Sequence, residues 1–211
     1  MKYITKQDEP QEFAEWKALI NEDWQPEYGD LAGEPKNALK KALMTEQGYI
    51  CCYCERRLTN NDSHVEHFRP QSDPAVDPLY FGNLLCSCQN QIKKGEPCHC
   101  GNLKDDWFDP VLLVSPLEPD CENRFAFTGD GAIKPAAEHD RAASETITRL
   151  RLDIPKLNEL RAKAIEPFLD IDLSIEEMQI FVSGYLTRDA SGRFGEFWST
   201  IRHLFGGFVV A

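Results

Sequence analysis

The stretch CCYC at residues 51–54 opens the most unusual part of this 211-residue sequence. Its first and last cysteines form a C-x2-C pair, and two C-x-C pairs follow it: Cys86 with Cys88, and Cys98 with Cys100. Tetrahedral zinc takes four thiolate or imidazole ligands, and a C-x2-C turn supplies two of them. The sequence therefore predicts a zinc site completed by two of the four later cysteines. The spacing alone leaves open which two bind.

Residues 48–110 differ in composition from the rest of the chain. They hold seven of the eight cysteines and three of the five histidines, with many glycine, proline and asparagine residues. A segment of this kind cannot bury much apolar surface, so it needs a cross-link, and a bound metal ion is the simplest one. Cys121 stands apart from the other cysteines, and we interpret it as a packing residue.

The sequence shows neither the apolar core of a signal peptide nor an apolar stretch long enough to span a bilayer. We therefore expect a cytoplasmic protein with no membrane partner. In a reducing cytosol, clustered cysteines bind metal more often than they form disulfides. The alternative interpretation of the cysteines is a set of buried free thiols.

The sequence SHVEHFRP at residues 63–70 lies between the first cysteine pair and the later ones. Its centre predicts a short strand that Pro70 ends. On a strand, His64 and Glu66 face one side and His67 the other. A carboxylate beside an imidazole provides an oxygen ligand for a cation and a base that titrates near neutral pH. Metal-assisted hydrolysis of a phosphodiester needs both groups, although such a run also occurs in exposed polar segments and among zinc ligands.

Three asparagines lie near the later cysteines. Asn83 precedes the first C-x-C pair, Asn102 follows the second pair, and Asn90 lies between the two. We treat Asn83 and Asn102 as candidate polar groups of the same site, with Asn90 as a competitor of Asn102. The alternative for any one of them is a turn or a helix cap.

The cysteine-rich segment divides the chain into three zones. Residues 1–47 form an N-terminal helical segment, residues 48–110 the cysteine-rich core, and residues 111–211 a hairpin followed by a helical region. A glycine-rich turn predicts the β-hairpin over residues 124–134, and apolar spacing predicts the helices. The predicted helices cover residues 10–20, a segment from Pro35 to Leu43, and residues 138–152, 155–169, 174–188 and 192–204.

The formal net charge of the chain is −12 at pH 7. Affinity for phosphate backbones comes mainly from lysine and arginine, so this charge argues against binding of nucleic acid by bulk electrostatics. If nucleic acid is the substrate, basic residues must be concentrated near the site, or a partner must deliver it. Arg69, Lys93 and Lys94 are the candidates for local positive charge, while a solvated loop is the alternative for the segment that holds both lysines.

The order of these motifs resembles the HNH endonucleases, also called ββα-metal nucleases. The resemblance runs over most of the chain and is closer to one branch, the PtuB-like nucleases of Septu and retron anti-phage defence systems. It implies an α+β fold, mostly α, with a zinc-stapled ββα-metal HNH core flanked by N-terminal helices and a C-terminal helical region. The matching motifs are Cys51-x-Tyr53-Cys54-Glu55, Glu66-His67-Phe68-Arg69-Pro70, Asn83-Leu84-Leu85, Cys100-Gly101-x-x-Lys104, Phe108-Asp109-Pro110 and Leu150-x-Leu152-Asp153-x-Pro155.

The resemblance also implies a role for each candidate residue. His67 would be the general base that activates water, and Glu66 would be a ligand of the catalytic divalent cation, usually Mg²⁺. Asn83 would orient His67 through the backbone, and Asn102 would lie on the metal side. Four cysteines would bind the structural zinc: Cys51, Cys54, Cys88 and Cys100.

The chain departs from the family pattern in two places. The last motif residue is often histidine and here is Asn102, which keeps Asn90 as an alternative. The carboxylate is Glu66, where the family more often has the shorter aspartate, and this leaves His64 as a candidate co-ligand of the cation.

The partners implied by the resemblance are a nucleic acid substrate, a PtuA-like ATPase in a hetero-oligomer, and a retron reverse transcriptase with its msDNA. The acidic net charge favours such a complex, because a partner could bring the substrate. Two other functions are compatible with parts of the sequence. A non-catalytic zinc module for protein interaction needs no role for His67, and a redox protein using Cys51 and Cys54 needs a βαβ context that the sequence lacks.

Overall fold

The computed structural model describes residues 1–92, 94–169 and 173–209. Within these ranges the protein is mixed α/β and mostly helical, as the sequence predicts. The α-helices are α1 (Gln11–Lys17), α2 (Gly33–Glu46), α3 (Gly101–Lys104), α4 (Arg141–Leu150), α5 (Pro155–Ile165), α6 (Ile175–Leu186) and α7 (Trp198–Phe205). The strands are β1 (Ser63–His67), β2 (Leu84–Cys88), β3 (Phe125–Phe127) and β4 (Ile133–Pro135). Short 3-10 helices lie at Tyr28–Asp30, Phe81–Asn83, Pro119–Asn123, Glu166–Leu169 and Gly206–Phe208.

β1 and β2 form an antiparallel two-stranded sheet that carries most of the candidate site. Ser63 lies opposite Cys88 at one end, and His67 lies opposite Leu84 at the other. β2 is buried along its whole length, whereas β1 is only partly buried. The sheet therefore fixes the distance between His67 at one end and Cys88 at the other.

The helix α3 is only four residues long, and its position is set by the residues around it. It begins directly after Cys100, whose φ of 58° lies in the left-handed region that residues other than glycine rarely adopt. The backbone N–H of Cys100 donates to the carbonyl oxygen of Leu150 at 2.9 Å, which ties the start of α3 to the end of α4. This attachment holds Gly101 and Lys104 against β1.

Two clusters of buried apolar side chains stabilise the described part of the chain. The larger cluster extends from Met1 to Leu157, includes the buried cysteines and draws on all three sequence zones. In it, Leu39 and Leu43 of α2 are fully buried along with Leu84 of β2. The smaller cluster brings together α5, α6, α7 and the adjoining 3-10 helix. The division of the chain at residues 47 and 110 stays a prediction.

The predicted helices agree with the structure except in one place. α1 and α2 lie in the two N-terminal segments, the hairpin of β3 and β4 lies where the glycine-rich turn predicts it, and α4, α5 and α6 lie within their predicted ranges. Proline lies in the first turn of both α2 and α5, as its fixed φ favours. Among the described residues, every helix is too short or too polar to cross a membrane.

The helix predicted over residues 192–204 is wrong in its first half, because α7 begins only at Trp198. The preceding segment is pinned to the cysteine-rich zone, where the backbone N–H of Phe194 donates to the carbonyl of Gly48 at 3.0 Å. The φ of Phe197 is 54°, in the left-handed region, so the helix cannot extend further towards the N-terminus. Tertiary contacts therefore override the local helical pattern here.

Candidate metal centre and active site

Four buried cysteines meet at one point: Cys51, Cys54, Cys88 and Cys100. Their sulfur atoms all lie within 4.8 Å of one another, and Sγ of Cys54 lies 3.7 Å from Sγ of Cys88. With Zn–S bonds of about 2.3 Å, tetrahedral zinc separates its sulfur ligands by about 3.8 Å. The donor set and its spacing therefore fit a zinc ion, and these are the four cysteines that the family resemblance implies.

Local backbone geometry explains why these cysteines come together. Cys51 and Cys54 lie in a tight turn closed by two hydrogen bonds, from the N–H of Glu55 to the carbonyl of Cys51 at 3.1 Å and from the N–H of Cys51 to the carbonyl of Arg56 at 2.9 Å. Cys88 ends β2, and Cys100 immediately precedes α3.

The other member of each C-x-C pair lies outside this cluster. Cys86, two residues before Cys88 on β2, is buried, but its sulfur is not among the four that meet. Cys98 is partly exposed, whereas Cys100 is fully buried. The structure thus brings Cys88 and Cys100 to the cluster and leaves Cys86 and Cys98 outside it. Cys121 also lies outside the cluster; it is buried, and its thiol lies 3.5 Å from the carbonyl oxygen of Met1.

The thiols of the cluster differ in their tendency to ionise. Burial, together with the neighbouring thiols, raises the pKa of the Cys100 thiol well above its ordinary range, whereas hydrogen bonds with the neighbouring thiols lower the pKa of Cys51 despite its burial. Thiolates buried in one place need a compensating positive charge, which a Zn²⁺ ion supplies. The buried ring of His99 lies against the cluster, with its Nδ1 3.0 Å from Sγ of Cys100.

A cavity of about 230 Å³ lies where β1 meets α3. It collects all but one of the residues that the sequence singles out for catalysis, because Asn83 lies outside its lining. Among the described residues lining the cavity, none is a lysine or an arginine. The lining includes His64, Glu66, His67, Gly101, Asn102, Asp105 and Asp106.

Glu66 is buried, and its two carboxylate oxygens have different surroundings. Oε1 accepts a hydrogen bond from the hydroxyl of Tyr53 at 3.0 Å and lies 3.1 Å from Nζ of Lys104. Oε2 lies 3.7 Å from Nε2 of His64, on the side where Gly101 approaches the carboxylate. Burial and the neighbouring Glu66 carboxylate raise the pKa of Tyr53 well above its ordinary range, so its hydroxyl stays protonated and can donate.

His64 is less firmly held than Glu66. Its Nδ1 is buried, and among the described residues it has no hydrogen-bond partner. Histidines that bind metal usually donate from the second ring nitrogen to a fixed acceptor, which sets the orientation of the ring. Glu66 is therefore the better positioned of the two candidate ligands.

His67 is oriented by the loop that follows β1. Its Nε2 lies 3.0 Å from the carbonyl oxygen of Pro78, and because a carbonyl can only accept, Nε2 carries the proton. In the neutral ring, Nδ1 is then the basic nitrogen. The ring of Tyr28 packs edge-on against the imidazole, with 4.5 Å between centroids. Burial lowers the pKa of His67 below its ordinary value of 6.5, which keeps the imidazole neutral near pH 7.

Asn83 fixes the chain immediately after His67. Its Oδ1 accepts from the backbone N–H of Arg69 and its Nδ2 donates to the carbonyl of the same residue, both at 2.9 Å. The N–H of Phe68 also donates to the backbone carbonyl of Asn83 at 3.0 Å. Asn83 therefore sets the backbone at the end of β1 without entering the cavity.

The structure brings Asn102, and not Asn90, to the cavity. The Nδ2 group of Asn102 donates to the carbonyl of Gln89, which leaves its Oδ1 as the remaining polar atom of the amide. Asn90 donates to the carbonyl of Asn61 at 3.4 Å, outside the lining of the cavity.

Two of the three candidates for local positive charge, Arg69 and Lys94, do not line the cavity. Arg69 forms an ion pair with Asp73 at 2.7 Å. Lys94 lines a different cavity together with Arg56 and Lys156, and Lys93 lies outside the described residues.

Five polar residues that contact Glu66 or line the cavity have no role in the sequence-based predictions: Tyr53, Gln71, Lys104, Asp105 and Asp106. Tyr53 is the residue that the sequence could have indicated, because it lies between two cysteines of one tight turn. Lys104 is recognisable only through its place in the family motif, because its partner Glu66 is distant in sequence.

Two known proteins resemble the chain over much of its length, although no family model matches it. It is 31% identical over 143 residues to "Retron Vc95 putative HNH endonuclease" of Vibrio cholerae serotype O1 biovar El Tor, covering 64% of this chain and 67% of the relative. It is 30% identical over 210 residues to "Retron Ec83 putative HNH endonuclease" of Escherichia coli, covering 80% of each. Both names give the same class of protein, the HNH endonucleases. The chain belongs to this family.

Proposed function

We propose that the protein is a metal-dependent endonuclease that hydrolyses phosphodiester bonds of nucleic acid. In this proposal β1, β2 and α3 form the ββα-metal core. The observation that carries it is the cavity that brings together Glu66, His67 and Asn102, the last of which lies two residues after the final cysteine of the buried cluster. A scaffold for protein binding has no need of a base, a carboxylate and an amide in one cavity, whereas phosphodiester hydrolysis uses all of them.

His67 is the general base in this mechanism. The hydrogen bond of its Nε2 with the carbonyl of Pro78 leaves Nδ1 to accept a proton from the attacking water. The lowered pKa of His67 keeps this nitrogen unprotonated at neutral pH. Asn83 holds the backbone of Arg69, two residues after His67, and so maintains the direction of the imidazole.

The catalytic divalent cation, Mg²⁺ or a similar ion, would be held by Glu66 and Asn102, with His64 as a further ligand. Carboxylate and amide oxygens are the hard ligands that such a cation prefers. When bound there, such a cation would supply positive charge for the scissile phosphate and the leaving oxygen. The positive charge of the cation is needed, because neither arginine nor lysine is among the described residues lining the cavity.

The four-cysteine cluster would hold a structural zinc ion. Its ligands come from the turn at residues 51–54, from the end of β2 and from the start of α3, so one ion cross-links three parts of the proposed core. A four-sulfur site is closed to substrate, which is typical of structural rather than catalytic zinc.

We further propose that the nuclease acts as the PtuB-like effector of an anti-phage defence complex in the cytoplasm. A PtuA-like ATPase would be its partner, with a retron reverse transcriptase and its msDNA as further components. The retron names of both relatives and the net charge of −12 support this proposal. An acidic nuclease gains from a partner that holds the nucleic acid, since phosphate binding depends on positive charge.

Cleavage of plasmid DNA and total RNA by the wild type and by His67→Ala, with Mg²⁺ and with EDTA, tests the nuclease. Both proteins are assayed alone and with a candidate ATPase, and zinc content is measured in each. We expect a Mg²⁺-dependent cleavage that His67→Ala abolishes, with one zinc retained in both proteins. A lone protein with full activity would contradict the complex.

Equal activity of the two proteins would contradict the role of His67. Absence of cleavage under every condition while zinc stays bound would contradict the nuclease and favour the zinc module for protein interaction.

A further inference from the structure

We propose that Tyr53 and Lys104 are positioning residues that together hold one oxygen of Glu66, so that the other oxygen alone is presented to the cation. This inference rests on the proposed function, because it describes how the proposed cation site is built. It assigns a role to two residues that take no part in the proton transfer.

Tyr53 connects the cysteine turn to the carboxylate. It lies between Cys51 and Cys54, is 2% exposed, and its hydroxyl donates to Oε1 of Glu66 at 3.0 Å. Because Cys51 and Cys54, two residues before and one residue after Tyr53, belong to the buried cysteine cluster, an ion in that cluster would fix the backbone from which the tyrosine reaches Glu66. The structural site would thereby support the cation site directly.

Lys104 connects α3 to the same oxygen. Its side chain is 1% exposed, and its Nζ lies 3.1 Å from Oε1 of Glu66. The same ammonium group donates to the carbonyl of His67 at 3.0 Å and to that of Asp105 at 3.2 Å. These contacts match the three N–H donors of a lysine. The ammonium group of Lys104 therefore contacts both Glu66, the proposed cation ligand, and the backbone carbonyl of His67, the proposed base.

The two contacts decide how Glu66 can bind a cation. A glutamate has three rotatable side-chain bonds, and free rotation would spread its carboxylate over several positions. With Oε1 occupied by two donors, Oε2 is the oxygen left on the side of Gly101 and His64. Binding through one oxygen suits a small octahedral ion such as Mg²⁺ or Mn²⁺.

The test measures Mn²⁺ binding directly, by electron paramagnetic resonance on the His67→Ala protein, so that cleavage does not enter the readout. Glu66→Gln in the same background defines the binding that depends on Glu66. We expect Tyr53→Phe and Lys104→Met each to weaken that binding about 10–100-fold, the usual cost of losing a residue that orients a metal ligand. Zinc content and melting temperature are measured for every variant.

Matched controls come from the same chain. Tyr185→Phe removes another tyrosine hydroxyl, which donates to the carbonyl of Glu196 at 2.7 Å. Lys6→Met removes another lysine that is paired with a buried glutamate, Glu46. We expect both controls to bind Mn²⁺ as tightly as their parent.

The outcomes separate this inference from the proposed function. Unchanged Mn²⁺ affinity in Tyr53→Phe, with Glu66-dependent binding intact, would overturn the positioning role and leave the nuclease proposal standing. If the His67→Ala parent shows no binding that depends on Glu66, the cation site itself is wrong, and both proposals fail. If Lys104→Met does not fold, Tyr53→Phe decides the question alone, because it removes a single oxygen atom.

Discussion

Gly101 lies directly against the carboxylate of Glu66. A β-carbon placed on this glycine would be 2.3 Å from Oε2 of Glu66 and 2.9 Å from Nε2 of His64, closer than β-carbons approach atoms of other residues. A glycine is thus required at the first position of α3 for the two candidate ligands to keep their places.

We expect Gly101→Ala to displace Oε2 and to weaken divalent cation binding about 10–100-fold, as loss of ligand positioning does in other metal sites. Mn²⁺ titration of the variant measures the effect. Gly184→Ala is the matched control, because a β-carbon there meets nothing within 4 Å. In the interior of α6 this control should raise the free energy of unfolding by about 0.5–1 kcal/mol without changing cation binding. Normal Mn²⁺ affinity in Gly101→Ala would contradict the proposed ligand arrangement.

The pH dependence of cleavage should report the lowered pKa of His67. Burial disfavours the charged imidazolium, so the base stays active below its ordinary pKa, and the acid limb of the rate profile should have its midpoint below 6.5. An NMR titration of the ring protons should give the same midpoint. Since the unfolded chain binds the proton first, the free energy of unfolding should decrease as the pH falls below about 6.5. An acid limb centred above 6.5 would contradict the assignment.

The cysteine cluster should bind one zinc ion per chain. Cys54→Ser removes a ligand, and because structural zinc contributes about 10–16 kcal/mol in small zinc-dependent folds, we expect loss of zinc and of the folded state. Elemental analysis and circular dichroism measure both effects. Cys98→Ser is the control, because this cysteine lies outside the cluster and is partly exposed. Loss of zinc in Cys98→Ser, with zinc retained in Cys54→Ser, would show that the wrong cysteines have been chosen.

Asn83→Ala should damage both stability and cleavage. It removes two hydrogen bonds with the backbone of Arg69 and leaves buried polar groups unpaired, at a cost of about 2–4 kcal/mol in the free energy of unfolding. Misplacement of His67 should lower the cleavage rate about 100-fold. Urea denaturation and single-turnover cleavage measure the two effects. Full activity in Asn83→Ala would refute the positioning role.

The sequence predicted most of the helices, because their apolar spacing is local information. Pro35 and Pro155 mark the beginnings of α2 and α5, and the glycine-rich turn predicts the hairpin of β3 and β4. The predicted start of α7 was wrong because a backbone hydrogen bond from Phe194 to Gly48, which lies far away in sequence, holds the segment before Trp198. Local periodicity contains no information about such a contact.

The candidate site could be predicted only in part. The cysteine pairs, the Glu66-His67 pair and the asparagines carry a recognisable order along the chain. The choice of Cys88 over Cys86 and of Cys100 over Cys98 needed the ends of β2 and α3. The contact between Lys104 and Glu66 joins residues 38 positions apart and depends on the fold of the whole core.

β2 has a consequence for which changes of length the chain can tolerate. Asn83 directly precedes this strand and Cys88 ends it, so a span of five residues, about 17 Å of extended chain, separates the asparagine that bonds to the backbone after His67 from a cysteine of the buried cluster. Inserting or deleting one residue in β2 would turn every later side chain to the opposite face. The loop segment at residues 72–77 belongs to no strand and does not line the cavity, so homologues with longer or shorter chains should differ in length there and keep β2 at five residues.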